Sequence, residues 1–465
     1  MVVSNPLRNI FIKIGQNTGI LLLVNIAGSL IGFLMAVALG RGLGDAGFGQ
    51  YSFVITWLLS LMLFTEFGLS TILTRDIAGQ LDQTHNYLIN SIAAKSLLSL
   101  PAILILLFFA PQLAADQNPE VIAALRWGVI FLYSGLVYSS FTAIFRAHQV
   151  MTPILWLTLS GQFILFLGTL LLLWARQPLF LIITWAGLSQ VGQCVLALVL
   201  YRNLIPWKID RGPESAKPHW GTGDRGVIVN QSPVSGHRSK NFITYRSFLP
   251  AQLKVDKTVM LELIVKAWPF ALAGILAAFQ LRANALILAY LQGDQALGWY
   301  AAASRFVETG KQLPGAFYAA MLPALAAMAS ARNAAQSLAL QNTLRQSRLG
   351  LLAFGAVASV GALLLARPIL TLTYGSAYEP ATLTLQILTL TLIPVGQNSL
   401  LIIYLYACGD EKFVNLITVL GIAVNLGLCF WLIPRWGPTG VALALLVAES
   451  VLYVPYKMRA AKHQN

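Results

Sequence analysis

Charge is what this chain has least of. Only 10% of its 465 residues are Asp, Glu, Lys or Arg, where a soluble domain carries about a quarter. With 57% of the residues hydrophobic and a mean hydropathy of +0.70, there is too little polar surface to cover a water-soluble body. Cysteine and histidine are also scarce. Cys194, Cys408 and Cys429 lie in or beside apolar runs with no close-spaced pair, which excludes a disulfide framework and a cysteine metal site. The histidines at 85, 148, 219, 237 and 463 form no H-x-x-x-H or H-E-x-x-H pair, so no metal, cofactor or catalytic residue is expected.

Long apolar runs are abundant. A helix rises about 1.5 Å per residue, so roughly 20 mostly apolar residues cross the hydrocarbon core. Such runs fall at 18–39, 52–74, 88–110, 123–145, 154–174 and 179–201, and again at 263–290, 298–325, 349–370, 383–406, 414–433 and 439–456. The first is too long for a cleaved signal segment and follows Arg8 and Lys13, so it reads as a retained helix. The expected fold is an all-α polytopic membrane protein of about 12 transmembrane helices, with an N-terminal lobe at 1–203 and a C-terminal lobe at 261–465. Between them, residues 204–260 carry Gly, Pro, Ser, His and mixed charge without apolar periodicity, which predicts a flexible linker.

The charges that exist are lopsided, with 31 basic against 17 acidic residues and a formal net charge of +14. On a soluble protein this excess would suggest nucleic acid. Here it follows membrane topology instead. With the N-terminus inside, 21 basic residues lie in cytoplasmic segments, 10 of them in the linker, and only Arg41, Arg176, Arg367 and Arg435 lie on the other side. The positive-inside rule therefore places both termini in the cytoplasm.

The lobes carry a trace of duplication. Gly44 to Tyr51 and Gly293 to Tyr300 both read G-D-x-x-x-G-x-Y, each between the first and second span of its lobe. Six spans return the chain to its starting side, so the lobes form a parallel repeat about an axis along the membrane normal, with a central cleft between them.

Several pieces in order resemble the polysaccharide flippase family, within the superfamily that also holds multidrug and toxin extrusion (MATE) transporters. They are Arg41-Gly42-Leu43-Gly44, Phe48-Gly49-Gln50-Tyr51, Glu66-Phe67-Gly68-Leu69, Pro269-Phe270, Arg282-Ala283-Asn284, Leu297 to Ala302 with Glu308, and Tyr374-Gly375 with Tyr378. The resemblance implies a MATE-like bilobed transporter in a bacterial plasma (inner) membrane, moving a polyprenyl-diphosphate-linked oligosaccharide from the inner to the outer leaflet. It implies the lipid-linked oligosaccharide and the bilayer as partners, with polysaccharide polymerase and glycosyltransferases as candidate enzyme partners. Members often have Asp where Asn284 stands, which weakens a cation-coupling role there.

Apart from Lys266 and Arg367 at span edges, eight charged residues fall within the spans: Glu66, Lys95, Arg126, Arg282, Arg305, Glu308, Lys311 and Glu449. A charge at mid-span is costly on insertion, about 2.5–3.5 kcal/mol, so the deeper ones should face protein or a wet cavity. Arg282, Arg305, Lys311 and Lys95 are the candidate substrate-binding cations, since guanidinium forks match phosphate oxygens. Arg305 and Glu308 are alternatively a structural ion pair, and Lys95 alternatively snorkels to the headgroups. Glu66 is placed as a partner of Lys95 or in gating or coupling, and Glu308 in gating or coupling. Trp127 beside Arg126 marks an interface anchor, and Glu449 receives no role.

Two other functions compete. Export of cationic drugs on the same fold would call for buried carboxylates, yet five cations face three acids within the spans. A membrane glycosyltransferase or ligase commonly needs an acidic or histidine-bearing outer loop or a large outer domain, whereas the outer loops here are short with scattered acids.

Overall fold

The computed structural model describes residues 6–114, 118–205, 255–312, 314 and 334–464. Most of the expected 204–260 linker, and the part of the 298–325 span beyond 314, lie outside the described residues. Among the described residues every regular element is helical. The first half holds α1 (Pro6–Glu66), α2 (Leu69–Gly79), α3 (Thr84–Phe108), α4 (Pro119–Ala147), α5 (Thr152–Trp174) and α6 (Leu179–Leu204). The second holds α7 (Lys257–Gly310), α8 (Ala334–Thr373), α9 (Thr382–Leu390), α10 (Leu392–Ala407) and α11 (Glu411–Gln464). Eight stretches of the described residues are long and apolar enough to cross a membrane, and helices are favoured there because lipid offers no partner to an open N–H or C=O.

Three helices turn without leaving the helical hydrogen-bond pattern for more than one residue. Gly44 in α1 (φ 73°, ψ −177°) and Gly293 in α7 (φ 78°, ψ −176°) adopt almost the same conformation, and Gly437 does the same service in α11 (φ 51°). Positive φ of this kind strains any residue with a Cβ. The sequence reading leaves loops of twelve residues at 40–51 and seven at 291–297, whereas the chain turns at a single glycine in each and resumes helix at once. Counting each pair of limbs separately, α2 as the continuation of α1's second limb, and α9 with α10 as one broken crossing, the described helices fit the twelve crossings expected, the eighth of them described as far as residue 314.

The last of these breaks has a chemical cause. Pro394 has no N–H to offer the carbonyl four residues earlier, at Leu390, which is where α9 ends. Thr391 fills the break, its hydroxyl donating to the Leu388 carbonyl at 2.6 Å. Breaks at Phe67 (φ 48°) and Gly68 (φ 69°) likewise separate α1 from α2.

The outward faces are greasy. Trp174, Leu364, Leu372 and Val265 are each more than two-thirds exposed, as expected of side chains that meet lipid tails. Inside, one apolar cluster joins Phe53, Leu58 and Leu132 of the first half to Leu288, Leu297 and Ile433 of the second. Another joins Met35, Leu39 and Phe48 to Ala302, Tyr374 and Tyr378. The two halves therefore share core at the end of the bundle that carries the glycine turns. Near the opposite end, which carries the termini, Leu69, Ile72 and Ala94 pack on Leu263 and Ala267.

Candidate functional site

The duplicated motifs meet each other. A methyl group placed on Gly49 would collide with the backbone carbonyl of Asp294, and one placed on Gly298 with that of Asp45. Each motif's second glycine thus admits the other motif's backbone, a reciprocal contact that a local twofold relation produces. Asp45 locks it, accepting hydrogen bonds from Gln295 (2.8 Å) and the Trp299 indole (3.1 Å). Tyr378 donates to the carbonyls of Gly40 and Gly44, both at 3.0 Å, and Arg41 reaches the carbonyls of Leu372 and Thr373. This end of the cleft is closed.

Beneath it lies a polar cavity of about 330 Å³ between α1, α5 and the second limb of α7. Asn25, Gly28, Ser29 and Gly32 form its α1 wall, Thr158 and Gln162 its α5 wall, and Arg305, Glu308, Thr309 and Gln312 the wall from the eighth crossing. Spacing of four puts Asn25 and Ser29, and Gly28 and Gly32, on one helical face. A Cβ at Gly28 would press on the Gln162 amide at 3.1 Å, and one at Gly32 would meet open space. The Arg305 guanidinium pairs with Glu308 at 3.1 Å, but the two side chains are 40% and 60% exposed, so the pair is worth only about 0.3–0.5 kcal/mol and leaves donors free.

Arg282 and Lys311 do not line the cavity, but their charges act on residues that do. Arg282 is half-buried, its charge interacts with Glu308 and Arg305, and its Nε has no hydrogen-bond partner among the described residues. Lys311 is half-buried one turn beyond Glu308, and the charges that act on it are Glu449 and Glu308. Glu449, given no role from sequence, is thereby part of the group, held by Asn398 at 2.8 Å. The signal for it was available only in three dimensions, because Lys311 and Glu449 lie on the eighth and twelfth crossings. The stripe of Asn25 and Ser29 was also passed over, although its spacing of four within the first span was legible.

Lys95 is a correction. It neither lines this cavity nor snorkels to the headgroups; it is 1% exposed and its ammonium donates to Glu66 (3.0 Å), Ser70 (2.9 Å) and Ser139 (2.7 Å). A buried ammonium cannot remain unpaired in a bundle interior, and the break at Phe67-Gly68 supplies the partners. Glu66 there also accepts from the Ser70 N–H (3.1 Å) and the Ser139 hydroxyl (2.7 Å), so one carboxylate ties α1, α2, α3 and α4 together. The pairing of Glu66 with Lys95 is as the sequence suggested.

Asn284 is buried and accepts from Asn425 (2.7 Å), an amide pair joining α7 to α11. Among the described residues no group of three His, Cys, Asp or Glu is placed to hold a metal ion.

Comparison with known proteins gives the architecture its place among known folds. A family model described as polysaccharide biosynthesis protein matches residues 14–218, and one described as lipid II flippase MurJ matches residues 250–464. No curated protein matches in sequence. An inward-facing multidrug resistance MATE transporter superposes with a TM-score of 0.68 at 12% identity, over 96% of this chain and 98% of that chain. The lipid II flippase MurJ in an inward closed conformation gives 0.66 at 14%, over 94% and 87%. An outward-facing MATE transporter gives 0.55 at 14%, over 96% of each chain. The fold is MATE-like along almost its whole length. With a polysaccharide biosynthesis model on its first half and a lipid II flippase model on its second, the chain is similar to proteins of those two families, carried on that fold.

Proposed function

We propose that the chain moves a polyprenyl-diphosphate-linked oligosaccharide from the cytoplasmic to the outer leaflet of a bacterial plasma membrane by alternating access. The observation that carries this reading is the excess of cation at a polar, membrane-embedded cavity: Arg305 on the wall, with Arg282 and Lys311 acting on its residues, against Glu308 and Glu449. A diphosphate suits such a group, since guanidinium forks bind its oxygens in pairs. Asn25, Ser29, Thr158, Gln162 and Gln312 supply the mixed donors and acceptors that sugar hydroxyls need. No bond is made or broken.

Lobes at 1–203 and 261–465, joined by the 204–260 linker, rock about the cavity in this reading. The closed glycine-turn end and the likeness to an inward-facing relative support a cavity that next opens toward the termini. Basic residues in the connections support termini in the cytoplasm. Polysaccharide polymerase and glycosyltransferases are the partners such an export step needs.

The test is a leaflet-resolved assay of lipid-linked oligosaccharide in a strain that depends on this chain. Arg282→Ala with Arg305→Ala should abolish delivery to the outer leaflet while the protein stays in the membrane at normal level. Normal delivery by that variant sinks the proposal. Export of cationic drugs is the second reading, favoured by Glu308 and Glu449. The three cations beside them oppose it, and dye protection that collapses with the ion gradient would revive it.

A further inference from the structure

A second cluster of unneutralised cation lies far from the cavity, at the end of the bundle that carries the termini. Arg348 of α8 and Lys457 of α11 both place their charge over the ring of one tyrosine, Tyr453, each at 5.7 Å from its centroid. Arg348 also donates to the Tyr453 hydroxyl. Among the described residues neither cation has a carboxylate within ion-pair distance. The acid nearest in sequence to each is engaged elsewhere: Glu449, nearest to Lys457, by Asn398, and Glu379, nearest to Arg348, by Arg367.

Two like charges over one ring repel, and cation–π attraction of roughly 0.5–1 kcal/mol each is a weak restraint at an exposed site. An anion shared between them removes the repulsion. What kind of anion follows from the setting. At ~1.5 Å per residue, Arg348 lies roughly 37 Å from the far end of α8 and Lys457 roughly 30 Å from the Gly437 turn, which is headgroup level for a hydrocarbon core about 30 Å thick. Beside them Leu349 and Val454 are each more than half exposed and lie on the membrane side of the two charges along their helices. Charge at headgroup level with grease beneath it is the complement of one phospholipid.

We propose that Arg348, Lys457 and Tyr453 form a binding site for an anionic phospholipid, the phosphate lying between guanidinium and ammonium and the acyl chains running along Leu349 and Val454. The site pins the end of α8 to the last limb of α11, and α8 is tied in turn to α10 through Gln397, which donates to the Arg348 carbonyl at 3.2 Å. It does not depend on what the transporter carries.

The delipidated full chain, titrated in detergent with phosphatidylglycerol and read by native mass spectrometry, tests the assignment. The native chain should retain phosphatidylglycerol in preference to phosphatidylethanolamine. Arg348→Gln with Lys457→Gln should weaken retention about 10- to 30-fold, and exposed Lys457→Gln alone, which leaves the packing untouched, about 5-fold. Equal retention by Lys457→Gln and the native chain overturns the site. So does equal retention of phosphatidylethanolamine. Displacement by millimolar inorganic phosphate would reassign it to a soluble anion, and displacement by polyprenyl diphosphate at equal concentration would reassign it to substrate entry; either outcome rejects the phospholipid.

Discussion

Two groups of charge lie within this bundle, and they differ in how fully their hydrogen bonds are met. In the first half, Lys95 has three side-chain partners and Glu66 has three donors, all supplied by the chain itself. In the second half Arg305 has one exposed partner, and Arg282 has a nitrogen without any among the described residues. The same cost of burying charge applies to both. A saturated group stabilises a fold, whereas an unsaturated one in a cavity is complete only with a ligand. The difference sorts Lys95 and Glu66 from Arg282 and Arg305, charges that composition alone treats alike.

The largest expected effect breaks the saturated group. Lys95→Ala leaves Glu66 half-enclosed without its counter-charge, and removing one partner of a buried pair costs about 3–5 kcal/mol. The unfolding temperature of the purified protein in detergent should drop sharply. Arg305→Ala, by contrast, should change stability by less than about 1 kcal/mol, because its pair is exposed. Lys95→Met combined with Glu66→Leu should recover much of the loss, since a pair replaced by apolar side chains leaves no orphaned charge. If Arg305→Ala destabilised as much as Lys95→Ala, the distinction between the two groups would be lost.

A smaller effect is expected where the halves touch. Gly49→Ala drives a methyl group against the Asp294 carbonyl, and overpacking of this sort costs about 1–3 kcal/mol. Because the contact exists only while the glycine-turn end is closed, the substitution should shift the protein toward the state open at that end. A cysteine placed at Gln295 in a cysteine-free background should then label faster with a membrane-impermeant maleimide. Unchanged labelling would mean the motif contact does not report on closure.

Much of the fold was legible because membrane helices announce themselves by length. Apolar runs of about 20 residues and polar breaks gave twelve crossings, and the two G-D-x-x-x-G-x-Y copies gave the repeat. The tight turns were less legible. A loop and a single left-handed glycine leave the same Gly-Asp signature, and only the backbone angles at Gly44 and Gly293 tell them apart. Site residues divided along the same line. Arg305 and Glu308 sit three apart on one helix, so their pairing could be read directly, as could the neighbourhood of Arg282 across one turn. Lys95 was misplaced because its depth in the sequence suits snorkelling, while its burial depends on Ser139 of α4 and on the helix break after Glu66. Glu449 was missed because its partners come from other crossings.

A third ion cluster sharpens the comparison, being saturated like Lys95 but placed at the water's edge. Asp410, in the turn before α11, accepts from both the Nε (2.7 Å) and a terminal nitrogen (2.8 Å) of Arg459 and also meets His463. These hydrogen bonds, first that of Arg459 and then that of His463, hold its carboxyl well below the usual carboxylate range. A carboxylate whose folded value is depressed stabilises the protein above its unfolded value, near 3.9, and loses that contribution as pH falls toward the folded one. Asp410→Asn should therefore lower the unfolding temperature modestly at pH 7, and the gap to the native chain should begin to close below about pH 5 and narrow steadily with further acidification. High salt should shrink the gap at neutral pH as well, because exposed pairs are screened. The Lys95 substitution should respond far less to salt, since its pair is shielded from counterions. A salt response of equal size at the two sites would show that saturation alone, and not depth, sets how these charges hold the bundle.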